Sequence, residues 1–168
     1  KQPKQIIGVT GTNGKTSTVE FCRQLWALAG WKAASMGTLG TKTETAINKS
    51  VYKNKEENLT TFEPSDLYKK LNFLVEEKIS HLALEASSHG IDQYRLDGVN
   101  FSGAVFTNLS HDHLDYHGNT ANYFSTKKRL FTKVLKNNSA ISINIDDIYG
   151  KKLYEELKDA NHFIITFG

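Results

Sequence analysis

The sequence predicts an α/β fold, a mostly parallel sheet flanked by helices. Apolar runs of strand length recur along the chain and alternate with segments of helical periodicity. A glycine-rich loop joins the first of these runs to a helix. The polar residues able to do chemistry fall directly after the apolar runs, which is where open parallel sheets bind ligands.

Taken in order, residues 5–10 (QIIGVT) read as a short buried strand, broken by the glycines of 11–14. Residues 15–29 read as a helix with Val19, Leu25, Trp26 and Leu28 as its apolar positions and Gly30 as its C-terminal cap. Residues 31–35 form a candidate second strand. The stretch 36–61 is polar and mixed, and within it residues 43–52 alternate weakly, as an exposed hairpin would. Residues 63–78 open on Glu-Pro and carry Leu67, Leu71, Leu74 and Val75, the spacing of one buried helical face. Further strands are expected at 81–85, 103–107, 140–145 and 162–166, with helices at 119–136 and 147–159. Strands alternating with helices imply a parallel sheet covered on both faces.

The 168 residues suit one domain with a sizeable core. At 39% hydrophobic and 23% charged, the composition is that of an ordinary globular chain, and no repeat or low-complexity tract interrupts it. No apolar run approaches the roughly 20 residues of a membrane span. The opening KQPKQ lacks the apolar region of an export signal. Cys22 is the only cysteine, which rules out an internal disulfide and fits a reducing cytoplasm. It reads as a packed helix residue rather than a nucleophile. The net charge of +3 is spread along the chain, so nothing marks a nucleic-acid surface, and a polyanionic small substrate suits the balance.

The segment TGTNGKT (10–16) carries the first chemistry. Its glycines let backbone N–H groups close around phosphate oxygens, and the helix N-terminus adds partial positive charge. Lys15 can reach terminal phosphates, and the Thr16 hydroxyl can ligate magnesium. The strict phosphate-loop pattern needs glycine at position 9, where this chain has Val9, so the match is a variant. A plain glycine turn ahead of a helix is the simplest alternative. Glu85 ends a strand and is placed to hold magnesium, although a surface glutamate would look the same in sequence. The run NLSHDHLDYH (108–117) packs three histidines and two aspartates into seven residues. It nearly spells a zinc-hydrolase motif through His111, His113 and Asp115, but Tyr116 stands at the last histidine position. Such a hydrolase would leave the glycine loop unexplained.

On GVTGTNGKTS (8–17), LTT (59–61), EASSHGIDQYR (85–95), TNLSHDHLDYHG (107–118) and YFSTKKRLF (123–131), the chain resembles the Mur ligases and within them the MurE type. These enzymes build the peptide of bacterial peptidoglycan. The resemblance implies a P-loop NTPase-like Mur ligase central domain. It implies ATP and two magnesium ions, with Gly11, Thr12, Asn13, Gly14, Lys15, Thr16, Ser17 and Asn108 around the nucleotide. Lys15, Lys127 and His113 would be catalytic. Thr16 and Glu85 would hold one magnesium, and His113 and Lys127 a second. Lys127 aligns with the family's carbamylated lysine. Thr60, Thr61, Ser87, Gln93 and Arg95 would contact the sugar-peptide substrate. Where the family often has proline after the paired threonines, this chain has Phe62-Glu63-Pro64.

The implied reaction is ATP-dependent and ADP-forming. It would join meso-diaminopimelate or L-lysine to UDP-N-acetylmuramoyl-L-alanyl-D-glutamate through an acyl phosphate. The resemblance further implies a cytoplasmic monomer with no membrane or nucleic-acid partner. Residues 1–168 would be an incomplete central domain. The N-terminal UDP-binding and C-terminal amino-acid-binding domains would lie outside it, so the fragment by itself would be inactive. A sister amide ligase of the cyanophycin or folylpolyglutamate type shares the glycine loop, and a non-catalytic nucleotide-binding module would keep Lys15 without needing Lys127.

Overall fold

The computed structural model describes residues 1–43 and 60–168. In chain order the elements are β1 (Gln5–Thr10), α1 (Lys15–Leu28), β2 (Ala33–Gly37), β3 (Gly40–Thr43), α2 (Pro64–Glu76), β4 (His81–Glu85) and α3 (Ser88–Asp92). There follow β5 (Gly103–Phe106), α4 (Leu114–His117), α5 (Thr120–Arg129), a π-helical turn at Leu130–Val134, β6 (Ala140–Asn144), α6 (Ile148–Leu157) and β7 (Phe163–Phe167). The seven strands form one sheet in the order β3-β2-β4-β1-β5-β6-β7. Every neighbouring pair is parallel except β2 with β3.

The strand at the middle explains the arrangement. β1 is flanked by β4 and β5, so its backbone groups pair on both sides and its side chains are buried on both faces. Ile6 enters the larger core, built from α2, α5, α6 and the loops between them. Val9 faces the other way, where Val19 and the half-buried Cys22 and Trp26 of α1 cover the sheet. Gly8 leaves the space that the Phe101 ring occupies, since a Cβ there would stand 3.0 Å from it. The carboxyl ends of β4, β1 and β5 therefore lie side by side, and the loop after each opens at the same edge.

Local signals account for the helices. Pro64 begins α2 at a position where a missing N–H costs nothing, and Leu67, Leu71 and Leu74 point into the core. Gly30 adopts a left-handed φ of 83° after α1, and the Trp31 N–H reaches back to the Trp26 carbonyl at 2.9 Å. Asn119 caps α5 by accepting from the Asn122 N–H, and Asp147 caps α6 by accepting from Tyr149 and Gly150.

Several expectations are corrected. Leu25 and Leu28 are 64% and 86% exposed, so the buried stripe of α1 is Val19 with Cys22 and Trp26. The helix covers the sheet with one narrow edge, and a tally of apolar residues overstated the stripe. The second strand starts two residues later than expected, because the turn after Gly30 takes up Trp31 and Lys32. The segment expected as one helix over 119–136 passes into the π turn at Leu130, which buries both Leu130 and Phe131. Strand β3 and the short helices α3 and α4 were not expected. Apart from Thr43, the expected 43–52 hairpin lies outside the described residues.

Burial separates two leucine substitutions. Leu71→Ala should lower stability by about 2–5 kcal/mol, whereas Leu28→Ala should stay within about 0.5 kcal/mol of wild type in urea unfolding. Equal losses at the two positions would contradict this packing.

Candidate nucleotide and metal site

The loop between β1 and α1 is held by its neighbour after β5. The Asn13 N–H donates to the Asn108 side-chain oxygen at 2.9 Å, and the Thr12 N–H donates to the Asn108 carbonyl at 2.9 Å. The Thr107 hydroxyl donates to the Asn13 carbonyl at 2.6 Å. Gly11 has φ 149°, and a Cβ there would lie 1.9 Å from the Thr107 hydroxyl oxygen, so only glycine fits. Gly14 takes φ 84° and turns the chain into α1. Asn108 is thus engaged with the loop itself. Thr16 is half-buried in the first turn of α1, and Ser17 is exposed beside it.

Two lysines converge on this loop. Lys15 Nζ folds back to donate to the carbonyls of Gly11 at 2.9 Å and Thr12 at 2.7 Å. Lys127 arrives from α5, is 1% exposed, and donates to the same Gly11 carbonyl at 2.9 Å. Its Nζ stands 4.4 Å over the centre of the Tyr123 ring. Burial lowers the Lys15 pKa, with the charges of Glu85 and Asp112 opposing. At Lys127 burial acts first and the Lys15 charge second, holding the amine well below a lysine's usual range.

Glu85 comes from the end of β4 and is 1% exposed. Its carboxylate accepts from the Thr38 N–H at 3.0 Å and the Thr38 hydroxyl at 3.2 Å. Gly37 makes room for it, since a Cβ there would fall 2.2 Å from a carboxylate oxygen. A buried carboxylate near Lys15, with the Thr16 hydroxyl at the head of α1, supplies the hard oxygen donors that magnesium takes, so the residues present fit that ion in kind.

The histidine-rich run does not close into one cluster. His111 and His113 are exposed, whereas His117 is buried with its ring 5.0 Å from that of Tyr123. His113 takes a left-handed φ of 50° at the start of α4, with its ring 6.1 Å from Tyr123 and 5.2 Å from His89. Among the described residues no three His, Cys, Asp or Glu side chains group as a metal shell.

The residues expected at the sugar-peptide substrate form a second network beside Glu85. The Ser87 hydroxyl donates to the Thr61 hydroxyl at 2.9 Å, and Thr61 donates to the Glu85 carbonyl at 3.1 Å. Arg95 donates to the Thr61 carbonyl at 2.9 Å, pairs with Glu63 at 2.9 Å and meets the Gln93 side-chain oxygen. The Thr60 hydroxyl lies 3.1 Å from that of Thr38. Thr38, Thr107 and Asp112 were missed from sequence. The first two act through backbone and carboxylate contacts across strands. Asp112 was absorbed into the histidine run, although its charge reaches both Lys15 and Lys127.

A mostly parallel sheet with a glycine loop at the mouth of its middle strand, a lysine folded across that loop, defines an α/β domain of the P-loop class. The chain belongs to the Mur ligase family, and residues 9–168 match the Mur ligase middle domain. It is 45% identical over 169 residues to the UDP-N-acetylmuramoyl-L-alanyl-D-glutamate–2,6-diaminopimelate ligase of Anaplasma marginale, covering 99% of this chain and 34% of that protein. A solved structure of a ligase of the same name superposes with TM-score 0.80 at 34% identity, over 98% of this chain and 32% of that one. Escherichia coli FolC in complex with DHPP and ADP shares the fold alone, with TM-score 0.64 at 16% identity over 98% of this chain and 42% of that one. The chain spans about a third of the length of the curated relatives it matches.

The Lys127 environment sets a pH dependence. Its folded-state pKa lies below the ordinary 10.5, so between those two values the unfolded chain holds a proton that the folded chain has lost. Folding releases that proton, and stability therefore rises with pH through the window. Lys127→Met should remove this contribution. The unfolding midpoint of wild type should gain on that of the variant as pH rises toward 10.5, and a gap that is constant with pH would refute the assignment.

Proposed function

We propose that the whole protein is an ATP-dependent ligase that adds 2,6-diaminopimelate to UDP-N-acetylmuramoyl-L-alanyl-D-glutamate in peptidoglycan synthesis. One observation carries the proposal: Lys15 and Lys127 meet on the Gly11 carbonyl at the mouth of β1. A module that only bound nucleotide would have no use for a second, fully buried lysine at that point. The names of the relatives support the amino acid, in place of the L-lysine alternative.

In this reading the loop of Gly11, Thr12, Asn13 and Gly14 binds the phosphates through its N–H groups. Lys15 swings from its two loop carbonyls onto the β- and γ-phosphates. Asn108 keeps the loop open by holding Asn13, and Ser17 lies at the rim of the nucleotide site. The substrate carboxylate attacks the γ-phosphorus, ADP leaves, and an acyl phosphate forms. The amine of the incoming amino acid then attacks the acyl carbon and phosphate departs. The carboxylate is already anionic, so the first step needs no strong base, and positioning with charge neutralisation carries the rate.

Thr16 and Glu85 are the residues to hold one magnesium, and His113 with Lys127 the residues to hold a second; the ions would supply positive charge where the transferring phosphoryl group gathers negative charge. Lys127 suits that role only as a carbamate. Its lowered pKa keeps part of the amine unprotonated, as addition of carbon dioxide requires, and the product replaces a repelling ammonium with oxygen donors. Thr60, Thr61, Ser87, Gln93 and Arg95 orient the sugar-peptide, with Arg95 the cation for its carboxylate. Flanking domains for uridine and for the amino acid belong to the same proposal, as do a cytoplasmic setting and a monomeric state. No described helix is long and apolar enough to cross a membrane.

In the full-length protein Lys127→Ala should lower ligation by about 10²–10³-fold while ATP binding persists, and Lys15→Ala should weaken both. Ligation assayed with radiolabelled diaminopimelate and equilibrium binding of ATP separate the two. Unchanged ligation in Lys127→Ala would sink the carbamate role, and preference for L-lysine would overturn the substrate assignment.

A further inference from the structure

Tyr123 is among the largest fully buried side chains of the protein and has no role in the reading above. It lies one helical turn before Lys127, so the two occupy the same face of α5. That face touches the phosphate loop twice. Lys127 reaches the Gly11 carbonyl, and the Tyr123 hydroxyl lies 3.3 Å from the Thr12 hydroxyl. Thr12 is a junction in its own right. Its hydroxyl accepts from the Ser110 N–H at 3.0 Å and lies 3.4 Å from the Ser110 carbonyl. The Tyr123 ring meanwhile forms the floor beneath Lys127 Nζ and the wall against His117 and His113.

The two ties differ in kind. The Lys127 tie is an amine N–H on a carbonyl, so any chemistry at that nitrogen alters it. The Tyr123 tie joins two neutral hydroxyls and does not use the lysine nitrogen. We propose that Tyr123 is a positioning residue for the ligase reaction, its hydroxyl clamping α5 to Thr12 so that Lys127 and His113 keep their distance from the phosphate loop. The inference rests on the functional reading above and adds to it a residue that need not touch ATP or substrate. The ring also contacts Lys127 and lies edge-on 6.1 Å from the His113 ring, so a shift of α5 would alter both contacts.

The test uses the full-length protein and the variants Tyr123→Phe, Thr12→Val and Thr12→Ser. Tyr123→Phe keeps the ring and removes only the hydroxyl. Loss of one hydrogen bond should lower kcat by about 3–10-fold and leave the KM for ATP within about twofold, because the loop amides and Lys15 remain. Thr12→Val, which also loses Ser110, should fall at least as far. The double variant should fall no further than Thr12→Val alone, as expected for two groups acting through one bond. Thr12→Ser keeps a hydroxyl at that position and serves as the control for the exchange measurement. Amide exchange in residues 11–16 of the nucleotide-free protein should rise in Tyr123→Phe and Thr12→Val and not in Thr12→Ser.

Additive losses in kcat, or a loss carried wholly by KM for ATP, would overturn the positioning role. Unaltered exchange in Tyr123→Phe would overturn the clamp itself, and that readout needs no turnover. Absence of ligation by the wild-type protein would instead overturn the functional reading, and with it the catalytic consequence, while the exchange result would still report on the clamp.

Discussion

Two lysine side chains share one backbone carbonyl oxygen, that of Gly11, and the rest of the site is arranged around this contact. Holding two amines together away from water disfavours protonating both, because each raises the cost of protonating the other. The protein relieves it in two ways. Burial lowers the proton affinity of both amines, and the carboxylates of Glu85 and Asp112 offset part of the charge at Lys15, as Asp112 does at Lys127. In the proposed reading the polyanion would be drawn to Lys15 and the loop N–H groups.

The sheet makes the contact possible. With β1 between β4 and β5, the three loops that matter leave the sheet at one edge, and the parallel register sets Val9 opposite Glu85 on one side and Val105 on the other. Glycine then lets groups approach where a side chain would block them. Gly11 admits the Thr107 hydroxyl, and Gly37 admits the Glu85 carboxylate. Neither contact involves sequence neighbours: the first couples the loop after β1 to the loop after β5, and the second couples the end of β2 to the end of β4.

Around the glycine loop the ties are redundant. Asn108 and Thr107 hold Asn13, Ser110 holds Thr12, and α5 approaches through Tyr123 and Lys127. A loop held in this way loses little entropy when it closes on a ligand, which is how preorganised donors stabilise developing charge without reorganising. The network of Thr61, Ser87 and Arg95 is joined to the same frame through the Glu85 carbonyl, so in the proposed reading the nucleotide and acceptor sides share a strand end.

Much of this was legible in the sequence, for a physical reason. Apolar periodicity, the Pro64 start, the Gly30 stop and the glycine loop are local properties, and local backbone chemistry largely decides them. The sequence by itself therefore determined the alternation of strands and helices, the glycine loop with Lys15 at its end, the strand-end position of Glu85 and, through motif order, the resemblance to the Mur ligases. It misjudged Leu25 and Leu28, because which side of a helix is covered depends on what packs there. It also had no means of finding Thr38, Asp112 or the Thr12–Tyr123 contact, which join residues from separate loops and helices. Only the tertiary structure decided that Lys127 is buried against the Gly11 carbonyl rather than solvated beside Lys128, since pairing across 116 residues is set by the packing of α5 on the sheet edge and by nothing in the local pattern.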